Sequence, residues 1–310
     1  MNVLNRVFKT LDMHRPEALP SFDAATQILA GSDYGGQHPY SQYESLAFVV
    51  ADAMKLRPWD EARVRCRKAH LPDGRRMSFK SLNDKLRVAA LPDFLSAADL
   101  IPGLLLVVLF DKQIGSIFDA DEEQPEVPDE FKKLFEWSER TQERMLRICH
   151  VMALVLAGLS RELQNVLWIT DEDEIAANVE RHTLFAKAFG NIASHYLEHR
   201  LGHVRVATTA SDTGKRDLED FVAIADLAAG AICHSRNAYG ATGLSSVAGL
   251  VVPPSPGAPP KVDKLLDWFS NDATSLRRLV LSIDVVPSSR KLKVRHLDLV
   301  GSNSFSRLRL

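Results

Sequence analysis

The sequence predicts a mixed α/β fold in which helices flank one sheet. Two apolar, strand-like segments follow each other closely at 26–33 and 44–52, which favours an early antiparallel hairpin. Later strand-like segments alternate with helical ones, which indicates parallel additions to the same sheet. The chain has 310 residues, 45% hydrophobic and 25% charged, the composition of an ordinary globular protein with ample material for a core.

The elements follow from apolar periodicity and from the turn residues between them. Three regions are expected: a main domain over 1–252, a Pro-rich linker over 253–260 and a small C-terminal α/β extension over 261–310. The predicted elements begin with a strand at 26–33 ending in a turn at 33–36, a strand at 44–52, a basic helical insert at about 53–102 and a strand at 104–110. One or two helices over 129–159, a strand at 165–170, a helix over 174–199, a strand at 203–208 and a buried helix around 221–233 follow. Beyond the linker, the sequence predicts a helix at 262–269 and strands at 279–286 and 292–300.

Charge and cysteine content exclude several classes of protein. The net charge of −2 gives no global attraction to nucleic acid or membrane, although 55–87 holds eleven Lys/Arg against four acids. Cys66, Cys149 and Cys233 are far apart and show no zinc spacing. The apolar runs are too short to cross a bilayer, and the sequence shows no signal peptide. We therefore expect a cytoplasmic chain without a membrane partner.

Asp226 stands out because it interrupts a segment, 221–233, that is otherwise apolar on every side. Ala and Leu favour a helix there, and apolarity all round indicates a buried one. A buried carboxylate is costly unless it is neutralised, hydrogen-bonded or bound to a cation. The alternative to a cation site is a buried salt bridge between Asp226 and an arginine.

Two further acids follow predicted strands. Asp33 ends the first strand and Asp171 follows the strand at 165–170. Sites in open α/β sheets form beyond the carboxyl ends of strands, and clustered carboxylates are usually compensated by a hard divalent cation. Alternatively, Asp33 could be a turn residue and Asp171 a helix cap.

Three acid-containing motifs follow one another along the chain: Ser32-Asp-Tyr-Gly-Gly36, Trp168-Ile-Thr-Asp-Glu-Asp-Glu174 and Ile224-Ala-Asp-Leu-Ala-Ala-Gly230. Together they resemble an uncharacterised bacterial protein family with an RNase-H-like fold. Its members begin with a strand ending in an Asp-Glu-Ser-Gly type motif and carry a late Ala-Asp-Leu-Leu-Ala-Gly helix. The resemblance covers roughly residues 25–240 and implies an RNase-H-like mixed sheet, with the insert placed inside the early strands.

The resemblance further implies a nuclease-type site that binds Mg²⁺ or Mn²⁺. Asp33 matches the first-strand aspartate, Asp171 the acid of the middle strand, and Asp226 the late helical aspartate. Glu172 and Asp173 are less close matches for the middle acid. The acid that often follows the first aspartate is Tyr34 here, which puts a second metal ion in doubt. The candidate substitutes are Asp52, Asp111 and Glu44.

Basic residues of the insert are the candidate contacts to a nucleic acid. Lys80, in Phe79-Lys-Ser-Leu82, resembles a basic position of the family. The arginines of 63–76 could contact phosphates as well. The candidate nucleic-acid contacts are Lys80, Arg75, Arg76, Arg65 and Arg67.

The leading hypothesis is a metal-dependent phosphodiester hydrolase acting on RNA or DNA. The alternative is a non-catalytic RNase-H-like interaction subunit of a bacterial defence or toxin complex. A third hypothesis, a zinc protease, rests on the H-x-x-E-H match His195-Tyr-Leu-Glu-His199. A polar helix end is the simpler interpretation of that match, because His and Arg favour the helix dipole there. The sequence leaves open whether the chain self-associates or binds a partner protein.

Overall fold

The computed structural model describes residues 8–10, 13, 18–116, 129–241, 259–271, 273–286, 288–289 and 291–299. Short 3₁₀ helices occupy Ala53–Lys55, Asp129–Glu136 and Thr209–Ser211. The strands are β1 (Gln27–Gly35), β2 (Tyr43–Asp52), β3 (Gly103–Asp111), β4 (Asn165–Thr170), β5 (Val204–Thr208), β6 (Leu276–Val285) and β7 (Leu292–His296). The α-helices are α1 (Arg57–His70), α2 (Lys85–Ala98), α3 (Glu139–Leu159), α4 (Val179–Tyr196), α5 (Asp217–Ala241) and α6 (Pro260–Phe269).

All seven strands form one mixed sheet in the order β5-β4-β1-β2-β3-β6-β7. The first three strands are antiparallel neighbours, and β4 and β5 add in parallel on the side of β1. On the other side, β6 adds in parallel to β3, and β7 closes the sheet antiparallel to β6. This confirms the predicted RNase-H-like mixed sheet, with its early antiparallel hairpin and later parallel strands.

Helices cover both faces of the sheet and bury its central strands. Every residue of β2 and β3 is buried, because each face of these strands packs against helices. On one face the core contains side chains from α3 and α4. On the opposite face it contains side chains from α1, α2, α5 and α6. The helices α1 and α2 belong to the segment 53–102 and lie between β2 and β3 in the chain.

The C-terminal segment continues the same sheet. Its helix α6 buries Val262, Leu265 and Leu266 in the core shared with α5, and β6 pairs with β3 from Leu276 to Ile283. Residues 253–258 of the predicted linker lie outside the described residues, and Pro260 already belongs to α6.

The end of β1 differs from the sequence prediction. The strand does not end at Asp33 but runs on to Gly35, and Tyr34 pairs with Leu46 of β2. The turn begins at Gly36, where φ is +79° and an added Cβ would lie 2.2 Å from the carbonyl oxygen of Tyr43. Only glycine fits there, so the turn residue is Gly36 and not Asp33.

Two other boundaries also differ from the prediction. The helix expected from 174 begins at Val179, because Asn178 caps it by accepting a hydrogen bond from the Arg181 backbone N–H. The last strand, expected to reach residue 300, ends at His296.

Candidate functional site

Asp33 and Asp226 face each other across the packing of β1 against α5. A Cβ added at Gly31 would lie 3.0 Å from the Phe221 ring, and one added at Gly35 would lie 3.4 Å from the Ala229 carbonyl oxygen. Alternate residues of a strand share a face, so Asp33 points towards α5 between these two contacts. Asp226 lies on that stretch of α5.

Asp171 directly follows the neighbouring strand β4 and lies beside Asp33. In the parallel register of β1 and β4, Ser32 is opposite Thr170, and the two aspartates follow directly. Asp171 Oδ1 accepts a hydrogen bond from Thr209 Oγ1 at 3.1 Å, which ties the end of β4 to the segment that follows β5. The side chain of Asp171 is thereby held at the same edge of the sheet as Asp33.

The carboxylates repel one another. Burial, and then the negative charges of Asp226 and Asp171, raise the pKa of Asp33 well above its ordinary value. The Tyr34 backbone N–H, which donates to Asp33 Oδ1 at 2.5 Å, opposes this rise only in part. Burial and the charge of Asp171 likewise raise the pKa of Asp226. The three predicted acids therefore lie within electrostatic reach of one another, and we call them the acid cluster.

Residues 78–80 of the insert hold the Asp226 carboxylate. Its Oδ2 accepts a hydrogen bond from the Phe79 backbone N–H at 2.7 Å, and the Ser78 side chain donates a second bond. Lys80 adds a nearby positive charge that lowers the pKa of Asp226. Within the described residues Asp226 forms no ion pair with an arginine, so the salt-bridge alternative is not what the structure shows.

The chemistry of the acid cluster fits a divalent cation, although its geometry is not that of a closed metal site. No three His, Cys, Asp or Glu side chains in the described ranges are arranged to hold a metal ion. The donors are nevertheless all carboxylate oxygens, the ligands that Mg²⁺ and Mn²⁺ prefer. A cation would also relieve the repulsion that raises the pKa of Asp33.

Among the other candidate acids, Asp173 adds a further negative charge that raises the pKa of Asp33, whereas Asp52, Asp111 and Glu172 are not gathered into the acid cluster. Asp52 lies opposite Ile28, five residues and roughly 17 Å along the β1–β2 ladder from Asp33, and caps the 3₁₀ helix that follows. Asp111 ends β3 and accepts a hydrogen bond from the Gln113 backbone N–H. Glu172 is exposed.

Asp173 and Glu44 pair with arginine on the opposite face of β1. Arg144 is 3% exposed and contacts Glu44 Oε1 at 3.1 Å, Asp173 Oδ2 at 3.2 Å and Glu174 Oε1 at 3.0 Å. Its guanidinium also lies 5.3 Å from the centre of the Tyr34 ring. Tyr34 is therefore part of an aromatic and arginine cluster behind the acid cluster.

The five predicted nucleic-acid contacts fall into two groups. Arg67 binds Asp220 of α5 with two hydrogen bonds and so ties the insert to that helix, whereas Arg75 binds Asp84 at 2.8 Å as well as Asp73 and holds the insert together. The other group is open to solvent: Arg76 is 53% exposed beside Glu219, and Arg65 and Lys80 are exposed.

Three residues around the acid cluster are not predicted from the sequence: Ser78, Thr209 and Lys261. Ser78 donates a hydrogen bond to Asp226, and Thr209 donates one to Asp171. The negative charge of Asp226 raises the pKa of Lys261. Nothing local marks them, because each becomes a neighbour only through contacts between elements distant in sequence. Lys261 lies beyond the predicted linker, where no site residue was expected.

The zinc-protease match does not form the required helical pair. Helix α4 ends at Tyr196, so His199 lies beyond it and not on the same helical face as His195. His199 Nε2 instead hydrogen-bonds with Ser160 Oγ at 2.8 Å. The polar helix end is thus the better interpretation of this motif.

No protein-family model and no curated protein matches the chain. A solved structure, the crystal structure of the ribonuclease H2 from Pyrococcus horikoshii OT3, is similar at 13% identity over 79% of this chain and 88% of that chain. The TM-score of 0.35 is too low to support any statement about activity. The resemblance to the bacterial family therefore stays a prediction, and the strand order defines the fold. No described helix is both long and apolar enough to span a membrane.

Proposed function

We propose that the chain is a metal-dependent phosphodiester hydrolase acting on RNA or DNA. The observation that carries the proposal is the meeting of Asp33, Asp171 and Asp226 at one edge of the sheet, where no arginine in the described ranges pairs with them. Three mutually repelling carboxylates cost folding free energy, so a chain that keeps them together needs a compensating ligand. A divalent cation is the ligand that suits carboxylate oxygens.

In this proposal Asp33, Asp171 and Asp226 would hold one Mg²⁺ or Mn²⁺. The ion would supply an activated water and a positive charge for the phosphate oxygens. Thr209 and the Phe79 backbone N–H fix two of the three carboxylates by hydrogen bonds. Asp33 is repelled by both other acids, and a bound cation would lower its raised pKa.

A nucleic acid would reach the acid cluster along the insert. Lys80 is exposed directly beside Asp226, and Arg65 and Arg76 are exposed further along the same segment. Cations in such a position contact phosphates without reading the base sequence. We therefore expect a substrate recognised by its backbone, whose affinity falls as salt rises.

The test is hydrolysis of labelled RNA and DNA by the full chain with Mg²⁺ or Mn²⁺. We expect Asp226→Asn to lower the rate at least about 100-fold, the scale of removing a main electrostatic group from an active site. Asp217→Asn is the matched control, because Asp217 is exposed on the first turn of the same helix. A folded Asp226→Asn protein with wild-type activity would contradict the proposal.

A non-catalytic interaction subunit remains the second candidate. Tyr34 favours it, because a buried tyrosine occupies the position where the related family often has an acid. A wild-type chain that binds no Mn²⁺ at millimolar concentration in calorimetry, and hydrolyses neither RNA nor DNA, would support this second function. Metal-dependent hydrolysis by the isolated chain would exclude it.

A further inference from the structure

Lys261 reaches the acid cluster from the C-terminal part of the chain. Its Nζ donates a hydrogen bond to the Phe79 carbonyl oxygen at 2.7 Å and lies 4.3 Å from the centre of the Phe79 ring. The backbone N–H of the same residue, Phe79, donates to Asp226 Oδ2 at 2.7 Å. A single residue thus connects Lys261 to the Asp226 carboxylate.

The ring of Phe79 is also fixed from the side of α5. Gly230 lies one turn after Asp226, and a Cβ added there would come within 2.2 Å of Phe79 Cγ. Glycine is less favourable than alanine inside a helix, so its presence at a helical position needs a reason. The space left by the missing side chain admits the Phe79 ring, which is therefore held between Gly230 and Lys261.

The position of Lys261 is unusual for a lysine. It lies in the first turn of α6, where the helix dipole disfavours positive charge. It is also partly buried, and burial lowers the pKa of its amine, while the charge of Asp226 raises it. The helix dipole and burial both disfavour the charged amine of Lys261. The hydrogen bond and the cation–π contact with Phe79 are the contacts that stabilise it in the structure.

We propose that Lys261 is a positioning residue of the acid cluster: it clamps residues 78–80 against α5 and so sets the direction of the Asp226 carboxylate. The role of this carboxylate in metal binding rests on the proposed function, whereas the clamp itself does not. The proposal makes the C-terminal segment a part of the site, although that segment is far from Asp226 in sequence.

The test compares Lys261→Met, which keeps an apolar side chain and removes the charge, with Lys261→Arg, which keeps the charge. Lys264→Met is the control, because Lys264 is exposed on the same helix. The readouts are hydrogen exchange of the Phe79 amide and the titration of the Asp226 carboxyl group, both followed by NMR in the full chain. A residue important only for general stability would not move these two signals selectively.

We expect Lys261→Met to speed exchange of the Phe79 amide about tenfold or more, because it loses both a hydrogen bond and a cation–π contact. The Asp226 pKa should rise, since a hydrogen bond that favours its charged form is weakened and the positive charge of Lys261 is removed. Lys261→Arg should restore most of both signals, and Lys264→Met should change neither. Gly230→Ala, which displaces the Phe79 ring from the other side, should reproduce the effects of Lys261→Met.

Unchanged exchange and titration in Lys261→Met would overturn the clamp, as would equal changes in Lys264→Met. Should Lys261→Met fail to fold, Gly230→Ala decides by the same two signals. Both are read without substrate or metal, so they are independent of activity. A wild-type chain that neither binds Mn²⁺ nor cleaves nucleic acid would overturn the proposed function and leave the clamp standing.

Discussion

Consecutive residues of β1 point to opposite faces of the sheet and have separate roles. Asp33 faces α5 and the other acids, whereas Tyr34 faces Arg144. The Tyr34 hydroxyl hydrogen-bonds with Ser32 Oγ at 2.8 Å and Thr170 Oγ1 at 3.1 Å, which links β1 to β4 just before their aspartates. Tyr34 therefore fixes the register of the strand ends, and we expect any metal ligands to come from the other face.

The pH dependence of the free energy of unfolding should show how far the buried, repelled carboxyl group of Asp33 destabilises the fold. Its pKa is raised in the folded chain, so the stability it contributes is present below its unfolded pKa, near 3.8, and is lost as pH rises through the folded value. As pH rises above the unfolded pKa, the Asp33 carboxyl group therefore destabilises the metal-free protein. We expect Asp33→Asn to stabilise it by about 1–3 kcal/mol at pH 7–8.

Thermal unfolding in a chelator from pH 3 to 8 checks this expectation. The stability difference between Asp33→Asn and wild type should shrink towards acid pH, where the wild-type carboxyl is protonated. Mn²⁺ should raise the wild-type midpoint and have a much smaller effect on the variant. A variant less stable than wild type at pH 8 in chelator would show that Asp33 is not a repelled carboxylate.

At the scale of elements, one arginine connects three parts of the fold. Arg144 of α3 contacts Glu44 of β2 and both Asp173 and Glu174 of the segment after β4. Arg147, one turn later, contacts Glu44 Oε2 at 3.8 Å and donates to the carbonyl oxygens of Ile114 and Gly115. These contacts hold the segment that begins with Asp171 against the sheet.

Arg144→Met should destabilise the protein by about 3–5 kcal/mol, because it leaves Asp173 without its buried cation and Glu44 with only the longer contact to Arg147. Arg140→Met on the same helix is the control: Arg140 is exposed, and its loss should change stability by no more than about 0.5 kcal/mol. Urea unfolding of both variants measures the difference. Equal, small effects would mean that the Arg144 contacts contribute little beyond the packing of α3.

The strands and helices could be predicted because the apolar patterns that indicate them are local in sequence. The end of β1 and the limits of α4 could not be predicted from such patterns. Apolar runs such as Leu104–Phe110 identify strands regardless of their partners. Tyr34 extends β1 only because Leu46 lies opposite to pair with it and Thr170 hydrogen-bonds with its hydroxyl group, which the sequence does not show. In the same way, Asp226 was recognisable as a lone acid in an apolar helix, but Lys261 and Ser78 meet it only through tertiary packing.

At the scale of the whole molecule, the acid cluster lies where three distant regions of the chain meet. The sheet supplies Asp33 and Asp171, α5 supplies Asp226, and the insert with α6 supplies the groups that hold it. The sequence predicts a small extension over residues 261–310 that follows a linker. In the structure their strands β6 and β7 belong to the same sheet as β1, and α6 shares its core with α5.

A chain shortened to residues 1–259 should therefore not fold. It would lack the parallel partner of β3 and would expose the apolar side chains of β3 and α5 that α6 and β6 cover. Eleven large side chains that are buried in the described part of this segment would also be lost: Val262, Leu265, Leu266, Trp268, Phe269, Leu276, Leu279, Val280, Leu281, Ile283 and Leu297. At about 1.5–3 kcal/mol each, their burial contributes more than the whole free energy of unfolding of a typical domain, about 5–15 kcal/mol.

The measurement is solubility together with cooperative unfolding, followed by circular dichroism in urea, for the full chain and for residues 1–259. We expect the shortened chain to aggregate or to unfold without a cooperative transition, since both β3 and α5 lose neighbours along most of their length. A soluble 1–259 chain with a sharp transition would show that the core on the α5 side is complete without α6 and β6. The C-terminal segment would then be a removable appendage, and Lys261 could act on the acid cluster only by docking onto an already folded domain.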